Sequence, residues 1–340
     1  MKKNILVTGG LGYIGSHAVV LLLEKGYNVI IVDNLSNSRI EIYNGIEKIS
    51  QKKPKLYIED LTNYASTQKI FNENEIDAIM HFAAFKAVGE SVEKPLKYYE
   101  NNILSLINTL KNSISNNVKH FIFSSSCTVY GQPQKLPVTE ETPVIQPNSP
   151  YGNTKKISEE ILFDTAKVND LNIISLRYFN PIGAHTCAKI GELPLGIPNN
   201  LIPFITQTAY GIRDKLKVFG NDYNTNDGTP IRDYIDINDL VDAHLVALKR
   251  LLNGENEKQI EIFNLGTGKG YSVLEVIQEF ERTNNVKVNY EITERRPGDI
   301  EKIWADPSKA NKILGWKTQR TLSDSLKTAW EWEKYYRKNF

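Results

Sequence analysis

Cysteine is almost missing from these 340 residues: Cys127 and Cys187 stand apart, neither with a C-x-x-C partner, which excludes a disulfide framework and argues against a redox role. Histidine is nearly as scarce. His17, His81, His120, His185 and His244 are scattered, and no spacing among them suggests a metal centre, so none is expected. No apolar run approaches the roughly 18 residues of a membrane span. The short one in "MKKNILVTGG" is cut at Gly9 and has no small-residue cleavage pattern behind it, so it reads as a first strand rather than a leader. Charge of one sign is lacking too. Forty-one Lys and Arg against 40 Asp and Glu leave a formal +1, with no basic block of the size a polynucleotide requires. These absences point to a soluble cytoplasmic protein with neither nucleic acid nor membrane as partner.

What the chain does have is apolar residues, 41% of the total, and they come in short β-branched runs. "NILVTG", "NVIIVD", "KLYIED", "AIMHFAA", "HFIFSSS" and "NIISLRYFN" alternate with helix-like segments through the first 180 residues. That rhythm predicts βαβ units and a doubly wound parallel sheet covered on both faces. Beyond Asn180, "PIGAHTCAKIGELPLGIPNN" and "FGNDYNTNDGTP" are rich in Gly, Pro and Asn and suit loops on the substrate side. Regular patterns return in "YIDINDLVDAHLVALKR", "IEIFNLGTG" and "SVLEVIQEFER". Single cores rarely exceed roughly 250 to 300 residues, so two domains are expected: 1–180 with returning elements near 233–265, and a smaller α/β substrate domain from 181–232 and 266–340.

"LVTGGLGYIGSH" sets Gly10, Gly12 and Gly15 in G-x-G-x-x-G spacing after a strand and at the opening of a helix, and also reads as G-x-x-G-x-x-G through Gly9. In that context small residues permit a tight turn, and the helix N-terminus can meet a pyrophosphate. Asp33 follows at the end of the next apolar run, where a carboxylate accepts bonds from both ribose hydroxyls and repels a 2'-phosphate. The expected cofactor is NAD rather than NADP, and the first domain is expected to be of Rossmann type. Asp60 ends a third strand, within reach of an adenine or simply solvated.

"SPYGNTK" places Tyr151 and Lys155 one helical turn apart, on one face. A phenol is a poor base at neutral pH. The Lys155 ammonium and a positive nicotinamide ring are expected to lower its pKa toward the working range, and the lysine can hold the nicotinamide ribose. Ser149 and Pro150 suit a helix start. Upstream, "FIFSSSCTVYG" ends a strand in serines, and Ser126 is placed to hydrogen-bond an alcohol whose proton Tyr151 removes. The implied chemistry is hydride transfer between NAD and a carbon bearing a hydroxyl.

With "HFAAFKAVGES", "YYENN", "RYFNPIGAH", "GIPNNLIPFI", "VFGNDY", "GTPIRDYIDINDL", "NLGTG" and "RRPGDIEKIWADPSKA", these motifs resemble the UDP-glucose 4-epimerase family of the extended short-chain dehydrogenase/reductases, from about residue 3 to 318. The resemblance implies a tightly bound NAD that oxidises the sugar at C4 and reduces the resulting 4-keto sugar from the opposite face, interconverting UDP-galactose and UDP-glucose. Tyr151 would be the base, Lys155 its electrostatic partner and Ser126 the hydroxyl helper. It further implies NAD contacts from Tyr13 and Ile14 beside Gly9, Gly12 and Gly15. Asp33, Asn34, Asn37, Asp60 and Leu61 would surround the adenosine half, and Phe82, Ala83, Lys86 and Asn101 would complete the site. The UDP-sugar would meet Asn180, Asn200 and Leu201, then Lys217, Val218 and Phe219, then Arg232, Tyr234, Arg296 and Asp299. Ile303 would lie near the sugar's C2 substituent, where its bulk disfavours N-acetylated sugars. A homodimer is implied, built from helices within Pro95–Ser113 and Gly152–Asn169.

A nucleotide-sugar 4,6-dehydratase is the nearest rival reading, but it needs an Asp-Glu pair where this chain has Cys127 and Thr128. A non-catalytic NAD-binding regulator would have lost the phenol, the lysine or the hydroxyl, and all three are present. Within the same chemistry, a UDP-N-acetylglucosamine 4-epimerase or another nucleotide-sugar 4-epimerase is the alternative.

Overall fold

A computed structural model describes residues 2–296 and 298–340. Its centre is a seven-stranded sheet. β1 (Asn4–Thr8), β2 (Asn28–Val32), β3 (Lys55–Tyr57), β4 (Ala78–His81), β5 (His120–Ser126) and β6 (Asn172–Tyr178) are joined by β10 (Ile260–Leu265) in the order β10-β6-β5-β4-β1-β2-β3. Every neighbouring pair is parallel. Strands buried on both sides must be apolar at successive positions, and β1 shows why: Ile5 and Val7 enter one core while Leu6 enters the other.

Helices α1 (Tyr13–Glu24), α2 (Glu41–Ser50) and α8 (Ile237–Leu252) cover the first face. α3 (Tyr64–Asn72), α5 (Pro95–Ser115) and α6 (Pro150–Val168) cover the second, with the short α4 (Val88–Glu93) leading into α5. The strand order reverses between β1 and β4, opening at their carboxyl ends the crevice where such sheets bind ligands.

The rest of the chain builds a smaller layered unit over that crevice. β9 (Ile231–Asp236) is its central strand, pairing with β7 (Asn180–Ile182) and β13 (Lys302–Ile303) in parallel and with β11 (Gly270–Ser272) antiparallel. β8 (Leu216–Phe219) and β12 (Tyr290–Thr293) form a separate pair. α7 (Leu201–Ala209), α9 (Val273–Asn284) and α10 (Leu322–Asn339) pack on these strands through Ile205, Phe280, Leu326 and Trp330. Side chains start the helices where the chain supplies them: Ser272 with Glu275, and Thr321 with Asp324, form capping boxes. Among the described residues no helix is long and apolar enough to cross a membrane.

One polar cluster interrupts the core beneath α6. The Glu159 carboxylate accepts from Ser125 and Ser175 hydroxyls, both at 2.7 Å, and from Arg177 Nε and Nη2 at 2.9 and 2.6 Å. Arg177 continues to the Tyr130 hydroxyl at 3.0 Å, which donates to Asn264 at 2.7 Å. Glu159 and Arg177 are each 4% exposed at the side chain. A buried pair adds little net stability, but removing one partner strands the other charge. Glu159→Met is therefore expected to cost about 3–5 kcal/mol in denaturant unfolding. Glu159→Met with Arg177→Met should recover more than half of that loss; a double variant as unstable as the single one would contradict this account.

Candidate active site

β1 runs out at Thr8 into a turn that only glycine can make. Gly9 has φ +66°, and a Cβ on it would lie 2.8 Å from the Ala83 amide nitrogen. A Cβ on Gly15 would lie 2.2 Å from the Gly9 carbonyl oxygen, so α1 can approach β1 this closely only with hydrogen there. Gly12 precedes the helix with no side chain capping it and no acid in the first turn. The backbone beside Tyr13, Ile14 and Gly15 is thus a bare helix N-terminus with its positive end toward the crevice.

Asp33 closes the turn from the next strand. Its carboxylate accepts from Leu11 N at 2.9 Å, Leu35 N at 3.0 Å and the Ser38 hydroxyl at 2.6 Å. A carboxylate has about four acceptor sites, so it can shape the loop and still receive a ribose hydroxyl. Asn34 donates to Asp60 at 3.2 Å, and Asp60 also holds Thr62. Leu61 lies buried below them, while Asn37 is exposed. After β4, the Phe82 amide donates to Thr8 O at 3.1 Å and the Ala83 amide to Thr8 Oγ1 at 3.3 Å, which lays this loop over the glycines. Asn101 donates to Asn102, which ties the loop to α6 through Phe85 and Thr154. The bare helix end, the cradle a Cβ would fill and the acid beyond it fit a dinucleotide.

Tyr151 and Lys155 face the same crevice because Ser149 caps α6, accepting from Gly152 N at 3.1 Å, with Pro150 in the first turn. Lys155 Nζ donates to the Ser124 carbonyl at 2.6 Å and lies 4.9 Å over the Phe123 ring. Ser126 ends β5 opposite Tyr178, and the Ser124 and Tyr178 hydroxyls hydrogen-bond each other. Without a cofactor's charge, burial acts on both groups in the direction opposite to the one expected with NAD bound. Burial pushes the Tyr151 phenol up to about 12, with the Ser126 hydrogen bond opposing it. Burial also pushes Lys155 down to about 7, against the pull of Glu159. In the protein alone desolvation is thus the largest influence on both groups.

On the substrate side, Arg296 holds Asp299 through bonds of 3.2 and 2.8 Å, and Arg232 stands 3.8 Å from the same carboxylate. The Arg296 guanidinium lies 5.5 Å over the Phe219 ring. Pro297, within the same "RRPGD" stretch, lies outside the described residues. Asn180 pairs in register with Tyr234, and Ile303 with Arg232. Asn200 precedes α7, whose first residue is Leu201. Of the β8 candidates, Lys217 is exposed and Val218 is turned into the core, leaving Val218 only its backbone to offer a ligand. Ile303, 1% exposed, packs with Cys127, Val129 and Phe179 just past Ser126. Sequence reasoning missed Ser124 and Tyr178; alternation along β5 puts Ser124 on the face of Ser126, which was the available signal. Among the described residues no cluster of three or more His, Cys, Asp or Glu is placed to hold a metal ion.

A glycine turn closed by an acid, with a Tyr-x-x-x-Lys helix beside a serine-ended strand on a seven-stranded parallel sheet, defines an extended short-chain dehydrogenase/reductase. Residues 6–329 match the family model described as GDP-mannose 4,6 dehydratase. The chain is 49% identical over 332 residues to the UDP-glucose 4-epimerase of Yersinia enterocolitica, covering 97% of each. The crystal structure of UDP-glucose 4-epimerase from Bifidobacterium longum in complex with NAD+ and UDP superposes with a TM-score of 0.95 at 44% identity, over 99% of this chain and 100% of that one. The UDP-Glc/GlcNAc 4-epimerase of Campylobacter jejuni matches at TM-score 0.83 and 37% identity, over 98% and 99%. The chain belongs to the UDP-glucose 4-epimerase family.

Lys155 gives the site a measurable signature. An unfolded lysine stays charged to its ordinary value near 10.5, while the folded one loses its proton near 7. Between these values the native state binds fewer protons, so burial of Lys155 costs stability below about pH 7 and the cost fades as pH rises toward 10.5. Lys155→Met is expected to raise the melting temperature of cofactor-free protein by at least roughly 2 °C at pH 7, with the difference shrinking toward pH 10. Thermal melts showing a pH-independent difference would refute the assignment.

Proposed function

We propose that this protein interconverts UDP-galactose and UDP-glucose by inverting the configuration at C4. The reading is carried by Tyr151, Ser126 and Lys155 standing together at the carboxyl edge of the sheet, with Cys127 and Thr128 where a dehydratase needs its two acids. NAD, when bound, accepts the C4 hydride and returns it to the opposite face of the sugar.

The residues of the chain divide the remaining work. Gly9, Gly12, Gly15 and the start of α1 hold the pyrophosphate, and Asp33 holds the adenosine ribose and keeps out a 2'-phosphate. Tyr151 takes the proton of the C4 hydroxyl, steadied by Ser126, and later gives it back. Burial leaves the phenol protonated in the protein by itself; a bound oxidised nicotinamide would supply, together with Lys155, the positive charge that favours the phenolate. Arg232 and Arg296 grip the diphosphate; guanidinium groups match its oxygens in bidentate geometry. Asp299 now neutralises both arginines and is placed to take a uridine ribose hydroxyl. Holding the UDP end while the keto sugar turns is what converts oxidation and reduction into epimerisation.

The large sheet with α8 and β10 is the NAD-binding part of this reading, and the smaller unit the sugar-nucleotide part. Leu96 and Leu104 lie exposed on α5 beside α6, which supports a homodimer through that helix pair. A cytoplasmic location fits the same activity.

Purified protein is expected to exchange UDP-galactose and UDP-glucose without added cofactor, measured by separating the two sugars. Tyr151→Phe should slow this about 10²- to 10⁴-fold with UDP affinity little changed; near-parental turnover in that variant would sink the role. A second reading, turnover of N-acetylated sugars, turns on Ile303. Its branched side chain fills the wall near Cys127 and Phe179, and a pocket change of this size discriminates by about 1–3 kcal/mol. Ile303→Gly should improve kcat/KM for UDP-N-acetylglucosamine relative to UDP-glucose by about tenfold or more; an unchanged ratio would show that the wall is elsewhere.

A further inference from the structure

An arm formed by residues 183–200 spans the crevice from the sugar-nucleotide side to the glycine turn, and its carboxylate has no task in the site described so far. The arm's course is fixed. Ala184 and Gly191 form an antiparallel bridge, the His185 amide donates to Ile190 O at 3.1 Å, and Ala188 turns the chain with φ +56°. Gly191 lies flat on the Trp332 indole, where a Cβ would come within 2.5 Å of the ring. That indole donates to the Glu192 carbonyl at 3.0 Å. The Glu192 side chain is thereby aimed.

Its Oε1 accepts bonds of 2.6 Å from both Lys86 Nζ and Asn200 Nδ2. The glutamate side chain is 12% exposed and that of Lys86 41%. Lys86 also stands 5.8 Å over the Tyr13 ring, and the Tyr13 hydroxyl donates to Gly183 O at 2.7 Å, so the arm meets the glycine turn at both ends of the contact. Tyr13 feels the carboxylate directly: burial pushes its phenol well up, and the Glu192 charge adds to that.

We propose that Glu192 is a positioning residue that clasps Lys86, from the cofactor side, to Asn200, from the substrate side, closing the arm over bound NAD. The proposal rests on the NAD reading above. Exposed ion pairs are weak, but this acceptor is mostly buried and takes two short bonds, one of them charge-assisted. An ammonium has three donors and an amide two, so each partner keeps at least one N–H for a phosphate or ribose oxygen while it is held. Glu192 sets where those free donors point. Without it Lys86 regains its side-chain freedom in solvent, and the arm loses its tie to the loop after β4.

The test is the rate at which holoprotein exchanges its NAD for isotopically labelled NAD, read by mass after denaturation. Glu192→Ala is expected to speed release about tenfold or more. Glu192→Gln, which keeps the shape and one acceptor, should fall between that variant and the parent, with an unchanged melting temperature in the cofactor-free state. Lys86→Met should speed release too, and the double variant should release NAD more slowly than the product of the two single effects, because both remove the shared Lys86–Glu192 bond. Release within twofold of the parent in both Glu192 variants overturns the clasp, as do effects of Glu192→Ala and Lys86→Met that multiply. A loss of melting temperature in Glu192→Gln equal to that in Glu192→Ala would make the role structural only and equally reject it. Parent protein that yields no NAD on denaturation would instead overturn the cofactor reading, and the clasp with it.

Discussion

The seat of α6 on β5 and β6 is the constraint on which the chemistry depends, and a buried carboxylate holds it. Glu159 reaches from the helix into the sheet and is met there by two serines and a guanidinium. Eight residues earlier on the same helix stands Tyr151, and four earlier Lys155. The anchor therefore sets the rotation of α6 and, with it, the direction in which both groups face. It also occupies Glu159, which would otherwise sit one turn from Lys155 as a competing partner; the lysine is left to the Ser124 carbonyl at the crevice. Packing of Leu162 and Ala166 turns the apolar face of α6 to the sheet, and the Glu159 anchor adds a directional polar constraint to that roll.

The electrostatics of this pair have a logic that no single residue reveals. Burial makes Tyr151 a worse acid and Lys155 a weaker cation, which in isolation is the wrong direction for a base. The same dry surroundings amplify any charge brought in from outside. In the proposed reaction, ionisation of the phenol would therefore depend on the charge that an oxidised dinucleotide brings.

Features set by local chemistry were legible in the residues. The glycine spacing, the serine and proline that start α6, and the β-branched runs all act within a few residues of themselves, and the structure puts each where its pattern implied. What lay beyond reading depended on distant neighbours. The direction of the Tyr151 shift depends on how much chain covers it. Val218 looked like part of a ligand-binding run, yet strand alternation and α7 turn it inward. Tyr178 acquires its place because β6 pairs with β5 in a register that sets it opposite Ser126. Glu192 is one acid in a loop of glycines and prolines, and only the stacking of Gly191 on Trp332, some 140 residues away in sequence, gives it an aim.

The covalent route between the large sheet and the smaller unit has a mechanical meaning. The chain crosses between them where β6 passes into β7, where β9 runs straight into α8, and where β10 leads to β11. The Asp233 carboxylate gathers these last segments, accepting from the amides of Thr267, Gly268 and Ala305. A hinge built on one linker bends cheaply, whereas three short splices side by side must all deform at once. The two walls of the crevice are therefore expected to resist opening about any single linker, so that a ligand held between them would have to turn about its own bonds rather than with the walls.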